Sequence, residues 1–107
     1  MRAGQLRETI TIQRKSPIKD GQGGERVEWV TYIVTKAAIW PLSASQVVQH
    51  SQLESEITHR VRTRYQRGIT PDMRIVHEGR IFYIQGPPIN NEERNRMLDI
   101  LCREEVQ

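Results

Sequence analysis

The stretch EITHRVRTRY, residues 56–65, alternates between side chains suited to a protein interior and side chains suited to water. Ile57 and Val61 fall at odd-numbered positions of this stretch, and the even-numbered positions alternate with them. Arg60, Arg62 and Arg64 fall at even-numbered positions. Because successive side chains of a β-strand point to opposite faces, the pattern predicts a strand with one buried face and one arginine-bearing face.

The rest of the chain supports a β-rich fold. It contains 12 Ile and 8 Val against 5 Leu and 4 Ala, and β-branched residues favour pleated sheets over helices. The alternation slips near Thr31, which predicts a bulge or a break there. Glu78-Gly79 predicts a tight hairpin turn. We therefore expect strands at residues 6–14, 26–40, 56–67, 73–77, 80–85 and 94–104.

Two segments are less regular. Residues 43–54 carry a short apolar stripe at helical spacing behind serines that can cap a helix, so they predict one short α-helix. Residues 94–104 fit a helix or a strand. We interpret them as a strand, because the meander before them needs a closing partner.

Residues 16–25 contain three glycines and a proline and predict a loop of about ten residues, which is long for a compact domain. The loop is either a hairpin tip without a further role or an arm that acts in a channel. The residues that would form such an arm are Asp20, Gly21, Gln22, Gly23 and Gly24.

The positive charge of the chain is concentrated in its centre. Residues 59–80 hold six arginines against two acidic residues, whereas the remainder holds ten basic and eleven acidic residues. On a strand, Arg60, Arg62 and Arg64 project from one face at intervals of about 7 Å. Three interpretations stay open: a subunit interface paired with carboxylates, contact with DNA phosphates, or a solvated sheet face.

No motif for catalysis, a cofactor or a metal stands out. The three histidines lie 9 and 18 residues apart, and a single cysteine cannot form a zinc cluster. Cys102 fits a small buried apolar residue better than a nucleophile. No apolar run approaches the roughly 18–20 residues that a membrane helix needs. We expect no catalytic, cofactor-binding or metal-binding residues, no enzyme activity and no membrane partner.

An ordered set of segments resembles the tailed-phage head–tail joining family, which includes head-closure, stopper and adaptor proteins. The most specific stretches are EITHRVRTRY followed by GITPDMR at residues 68–74, and GRIFYI at residues 79–84. Residues 1–14 resemble the opening strand of the family and residues 94–102 its last strand. The family often has Trp where this chain has Lys36 and Gly where it has Ala44.

This resemblance implies a mostly β fold: a small β-barrel or sandwich of six to seven antiparallel strands with one short helix and long loops. It implies one domain over residues 1–107, located in the virion and, during assembly or as a prophage product, in the bacterial cytoplasm. The expected partners are a portal or adaptor ring, a tail-completion or tail-tube protein, and further copies in a ring that is usually dodecameric. Packaged DNA is a further expected contact. The alternative class is a small β-barrel that binds nucleic acid.

Overall fold

A computed structural model describes residues 6–19, 25–42, 57–90 and 94–105, and in these ranges the chain forms seven β-strands. The strands are β1 (Glu8–Lys19), β2 (Glu25–Pro41), β3 (His59–Arg64), β4 (Arg74–His77), β5 (Arg80–Ile84), β6 (Ile89–Asn90) and β7 (Met97–Glu104).

The strands form a closed barrel. Their hydrogen-bonded order is β3-β2-β1-β4-β5-β7, and β3 also pairs with β7, so six antiparallel strands complete a circle. The short β6 adds to β7 outside the circle. The mostly β prediction is confirmed, and the ambiguous segment near the end is the strand that closes the barrel. The helix predicted at residues 43–54 lies outside the described residues.

The barrel interior is filled by apolar side chains, as expected for so few strands. Every second residue of each main strand faces inward, and among the described residues the largest wholly buried side chain is that of Phe82 on β5. Val61 and Thr63 are buried on β3 as the alternation predicted. The central cluster comprises Ile10, Ile12, Ala37, Val61, Ile69, Met73, Ile75, Phe82, Ile84, Leu98, Ile100 and Cys102.

The hairpin of β1 and β2 is longer than the sequence indicated. The loop predicted at residues 16–25 is wrong at both ends, because the ladder continues through Ser16, opposite Glu28, to Lys19, opposite Glu25. Cross-strand hydrogen bonding thus extends past Pro17, whose φ suits an extended strand. The candidate arm residues Asp20, Gly21, Gln22, Gly23 and Gly24 lie outside the described residues.

The slip in alternation near Thr31 is a β-bulge. Ile12 lies opposite Ile33 and Gln13 opposite Thr31, so Tyr32 is the extra residue. The Tyr32 hydroxyl donates a hydrogen bond to the carbonyl oxygen of Arg67 at 2.8 Å, which ties β2 to the turn after β3. Gly68 follows with a φ of 85°, and a Cβ there would collide with the Tyr32 ring and hydroxyl. The turn therefore needs glycine for its conformation and for its close packing.

Two shorter connections complete the barrel. Glu78 and Gly79 have φ values of 49° and 80° and join β4 to β5, which confirms the predicted hairpin turn. Ile89 and Asn90 pair with β7 as β6, a short strand that is not among those predicted. A polar pair supports this short strand, since the Asn90 amide donates to the Asn95 side chain at 2.7 Å.

Candidate interaction surface

The arginine face of the barrel consists of Arg60, Arg62 and Arg64 on the outer side of β3. The strand lies between β2 and β7, so each arginine has a neighbour on both sides. The predicted alternation is confirmed, but the three guanidinium groups have different environments. Those environments determine which of them is accessible to a partner.

Arg62 is paired inside its own chain. It lies directly opposite Asp99 on β7, and its Nε and Nη2 donate to the two carboxylate oxygens at 2.5 and 2.9 Å. The side chains are only 14% and 15% exposed. Hydrogen bonding to Asp99 raises the pKa of the Arg62 guanidinium above its ordinary value. The carboxylate that pairs with Arg62 therefore belongs to the barrel itself.

Arg60 is covered by an aromatic ring. It lies opposite Trp40 on β2, and its guanidinium carbon is 4.6 Å from the centre of that ring. Its Nε is buried and has no hydrogen-bond partner among the described residues. Arg64, at the end of β3, is exposed to solvent. Of the three arginines, Arg64 is the most accessible to another molecule.

A second outer surface, which we call the basic–aromatic row, crosses five strands. Its members are Lys15, Trp29, Arg74, Tyr83 and Arg103. Lys15 lies opposite Trp29, Arg74 opposite Tyr83, and Tyr83 opposite Arg103. Arg74 lies 4.3 Å from the Trp29 ring, and the Trp29 and Tyr83 ring centres are 6.3 Å apart. Each of the two rings therefore contacts at least one cation across the wall of the barrel.

The sequence did not predict the basic–aromatic row. Each of the five strands contributes one member, and the members are separated by up to 88 positions along the chain. Within their own strands, Arg74 and Tyr83 alternate with apolar residues, which indicates that their side chains point outward. What brings them together is strand register, which no local pattern specifies.

The open mouth of the barrel forms a cavity of about 460 Å³. Its wall consists of residues at the strand ends and in the β4–β5 turn: Glu8, Ile39, Pro41, His59, His77, Glu78 and Arg80. Arg80 donates to both carboxylate oxygens of Glu104, at 2.7 and 3.0 Å, and this hydrogen bonding lowers the pKa of Glu104. Burial lowers the pKa of His59, against the opposing effect of Glu104. The mouth is thus polar although the interior beneath it is apolar.

Cys102 is wholly buried in β7, as the sequence suggested. Burial is the main cause that raises the pKa of its thiol to about 12. A thiol with that pKa is protonated at neutral pH and is a poor nucleophile. The described part of the chain also contains no helix with the length and apolar character needed to cross a lipid bilayer.

The described residues thus form a small closed β-barrel with a filled apolar interior and a charged outer wall. The phage head completion protein family matches residues 1–105, so the chain belongs to that family. Its role is the structural one of joining head and tail, and it is located in the virion.

Individual proteins are similar to this chain in sequence or in fold. The chain is 28% identical over 83 residues to head completion protein gp16 of Bacillus phage SPP1, which covers 78% of this chain and 76% of the relative. The solution structure of protein SF1141 from Shigella flexneri 2a superimposes with a TM-score of 0.82 at 28% identity, covering 100% of this chain and 99% of the other. A chain from the virion of a native gene transfer agent particle shares the fold, with a TM-score of 0.67, 21% identity and coverage of 94% and 96%.

Proposed function

We propose that this protein is one subunit of a ring, dodecameric in the virion, in which residues 1–107 form a single head–tail joining domain. One side of the ring would bind the portal or adaptor and the other side a tail-completion or tail-tube protein. The role is structural and not enzymatic. Membership in the head completion family supports a connector role, while the ring and its neighbours are our proposal.

The observation that carries this proposal is the exposed apolar surface of β2. Val27 and Val34 are 59% and 56% exposed on a barrel whose interior is otherwise well filled. Trp29 lies on the same strand between them and is only half-buried. Exposed apolar side chains on a strand whose tryptophan contacts the cations Lys15 and Arg74 are typical of protein interfaces. This outer wall therefore supports contact with another protein.

We propose that the arginine face contributes to this contact mainly through Arg64. Arg62 forms an ion pair with Asp99, and Arg60 is covered by Trp40, so these two arginines contact their own chain. Arg64 is exposed and can form bidentate hydrogen bonds with a carboxylate of a neighbouring subunit or of the portal. We also propose that Asp20, Gly21, Gln22, Gly23 and Gly24, which connect β1 to β2, act as the channel loop.

Light scattering on the full-length chain, with and without its cognate portal, tests the proposal. We expect a monomer or small oligomer alone and a ring-sized complex on the portal. Val34→Asp should weaken the complex at least about tenfold without changing the melting temperature, because burying an unpaired charge at an interface costs several kcal/mol. The matched control is Ile89→Asp, the same change at a residue that is 51% exposed on β6.

Two results would contradict this interpretation. A stable ring at micromolar concentration without the portal would show that assembly does not depend on it. Equal portal binding by Val34→Asp and the wild-type chain would remove the β2 surface from the interface. Deletion of residues 20–24 tests the channel loop separately: filled heads should lose DNA, and complete DNA retention would refute that role.

The basic–aromatic row favours a second candidate function, contact with packaged DNA. Its cations are spread across the wall, where they can approach phosphates. The arginines already stack on the rings, so we expect phosphate contact and little base stacking. A salt-dependent, sequence-independent affinity for duplex DNA that falls in Arg103→Gln would support this function. Affinity that persists unchanged in that variant would exclude the row as the DNA site.

A further inference from the structure

His77, at the end of β4, is a buried histidine whose ring orientation is determined by the backbone. Its Nδ1 lies 3.1 Å from the carbonyl oxygen of Thr9 on β1. A carbonyl oxygen can only accept a hydrogen bond, so Nδ1 must carry the proton and donate it. The other nitrogen, Nε2, therefore points away from the backbone toward the mouth of the barrel.

Two carboxylates face that nitrogen. The Nε2 of His77 is 3.2 Å from an oxygen of Glu8 and 3.7 Å from an oxygen of Glu78. In a neutral imidazole with Nδ1 protonated, Nε2 has a lone pair directed at two negative charges. A cation among the three groups would stabilise this arrangement. That cation is either a proton on Nε2 or a metal ion.

The geometry agrees with a metal ion. All three donor atoms lie within 4.8 Å of one another. Tetrahedral coordination with bonds of about 2.0–2.1 Å separates the donors by about 3.3 Å, close to the two distances from Nε2. Glu8 and Glu78 are 47% and 78% exposed, so their side chains can adjust to the ion. The hydrogen bond from Nδ1 to a backbone carbonyl is the support that metal-binding histidines usually have.

We propose that Glu8, His77 and Glu78 form a binding site for a divalent transition metal, with zinc the best match. An imidazole nitrogen with two carboxylates suits zinc, whereas magnesium and calcium prefer oxygen ligands alone. The nearby Arg80 is neutralised by Glu104, which leaves the two glutamates as the main charges facing the site. The fourth position opens into the cavity, where water or a carboxylate of a partner protein can bind.

The bound ion would connect Glu8 at the beginning of β1 to His77 at the end of β4, 69 positions further along the chain, and to the adjacent Glu78. It would thereby link strands at the mouth of the barrel without taking part in any reaction. This site does not depend on the connector role, since its three ligands belong to one chain.

Calorimetric titration of the full-length, tag-free chain with zinc chloride tests the site, alongside NMR of the histidine ring nitrogens. We expect one zinc ion per chain and a ¹⁵N shift at Nε2 of His77 larger than at His50 or His59. Glu8→Gln and Glu78→Gln should each weaken binding at least about tenfold. The matched control Glu28→Gln, at an exposed glutamate opposite Ser16 on the same hairpin, should bind like the wild type. Magnesium chloride should give no binding.

Three results would overturn the proposal. The first is the absence of zinc binding, with His77 protonated on both nitrogens, which would identify the cation as a proton. The second is zinc binding that shifts the His50 or His59 ring and not that of His77. The third is equal zinc affinity in Glu8→Gln, Glu78→Gln and Glu28→Gln. Thermal melting of each variant without metal separates loss of a ligand from loss of the fold.

Discussion

The two outer surfaces of the barrel place their arginines in different settings. On the arginine face, Arg62 forms a nearly buried pair with Asp99, which satisfies its charge within the chain. In the basic–aromatic row, Arg74 and Arg103 lie over the rings of Trp29 and Tyr83. A carboxylate pair occupies the N–H groups of a guanidinium, whereas stacking covers its flat side and leaves edge N–H groups for other partners.

The difference shows that a conspicuous row of charges on one strand need not be the surface that binds. The strands on both sides of β3 provide a carboxylate and an aromatic ring, and these convert two of its three arginines into structural groups. The basic–aromatic row, by contrast, is assembled one residue per strand. The following substitutions test this contrast, beginning with the largest expected effect.

Asp99→Asn should destabilise the fold by about 2–4 kcal/mol, because it leaves the poorly exposed Arg62 guanidinium without its counter-charge. Urea unfolding of the purified chain measures the change. The double variant with Arg62→Gln should recover part of the loss, since it removes the unpaired charge. Surface substitutions usually change the free energy of unfolding by less than about 0.5 kcal/mol. A loss that small in Asp99→Asn would show that the pair does not stabilise the fold.

Trp29→Ala should cost about 1–2 kcal/mol, since it removes a half-buried ring that contacts Tyr83, Lys15 and Arg74. Thermal unfolding gives the stability change. The same variant should weaken portal or DNA binding, because the ring positions two cations of the row. Unchanged binding together with the expected loss of stability would show that the row stabilises the fold and does not bind a partner.

Arg74→Gln should cost about 0.5–1 kcal/mol through loss of its contact with Trp29 and of the hydrogen bond that its Nε donates to Gln13. It should also make partner binding less dependent on salt concentration, because one cation of the row is lost. Binding measured at two ionic strengths tests this, with Arg7→Gln, an exposed arginine before β1, as the control. A salt dependence equal to that of the control would argue against the row.

Arg64→Gln should change stability by less than about 0.5 kcal/mol, because the side chain is exposed at the end of β3. It should nevertheless reduce attachment to the portal more than Arg60→Gln does. Portal pull-down of the two variants at equal concentration makes the comparison. Equal attachment by both variants and the wild type would show that the arginine face is a solvated surface without a partner.

Much of the fold was predictable because its signals are local. Alternation located β3 and both halves of the β4–β5 hairpin, and Glu78-Gly79 marked the turn between them. The extent of β1 was not predictable. Pro17 and the glycines beyond it indicate a loop, yet the antiparallel pairing with β2 continues past that proline. Cross-strand hydrogen bonds there outweigh local propensity, as tertiary context commonly does in strands.

The amino-acid sequence by itself determined the β-rich class, the inward and outward parity of β3 and the burial of Cys102, since these depend on side-chain type and a period of two residues. Only the tertiary structure decided that Arg62 pairs with Asp99, that the basic–aromatic row exists, and that Glu8 meets His77. The physical reason is that closing the barrel sets the register between strands far apart in the chain. Register determines which outward or inward side chains become neighbours, and no spacing along the sequence contains that information.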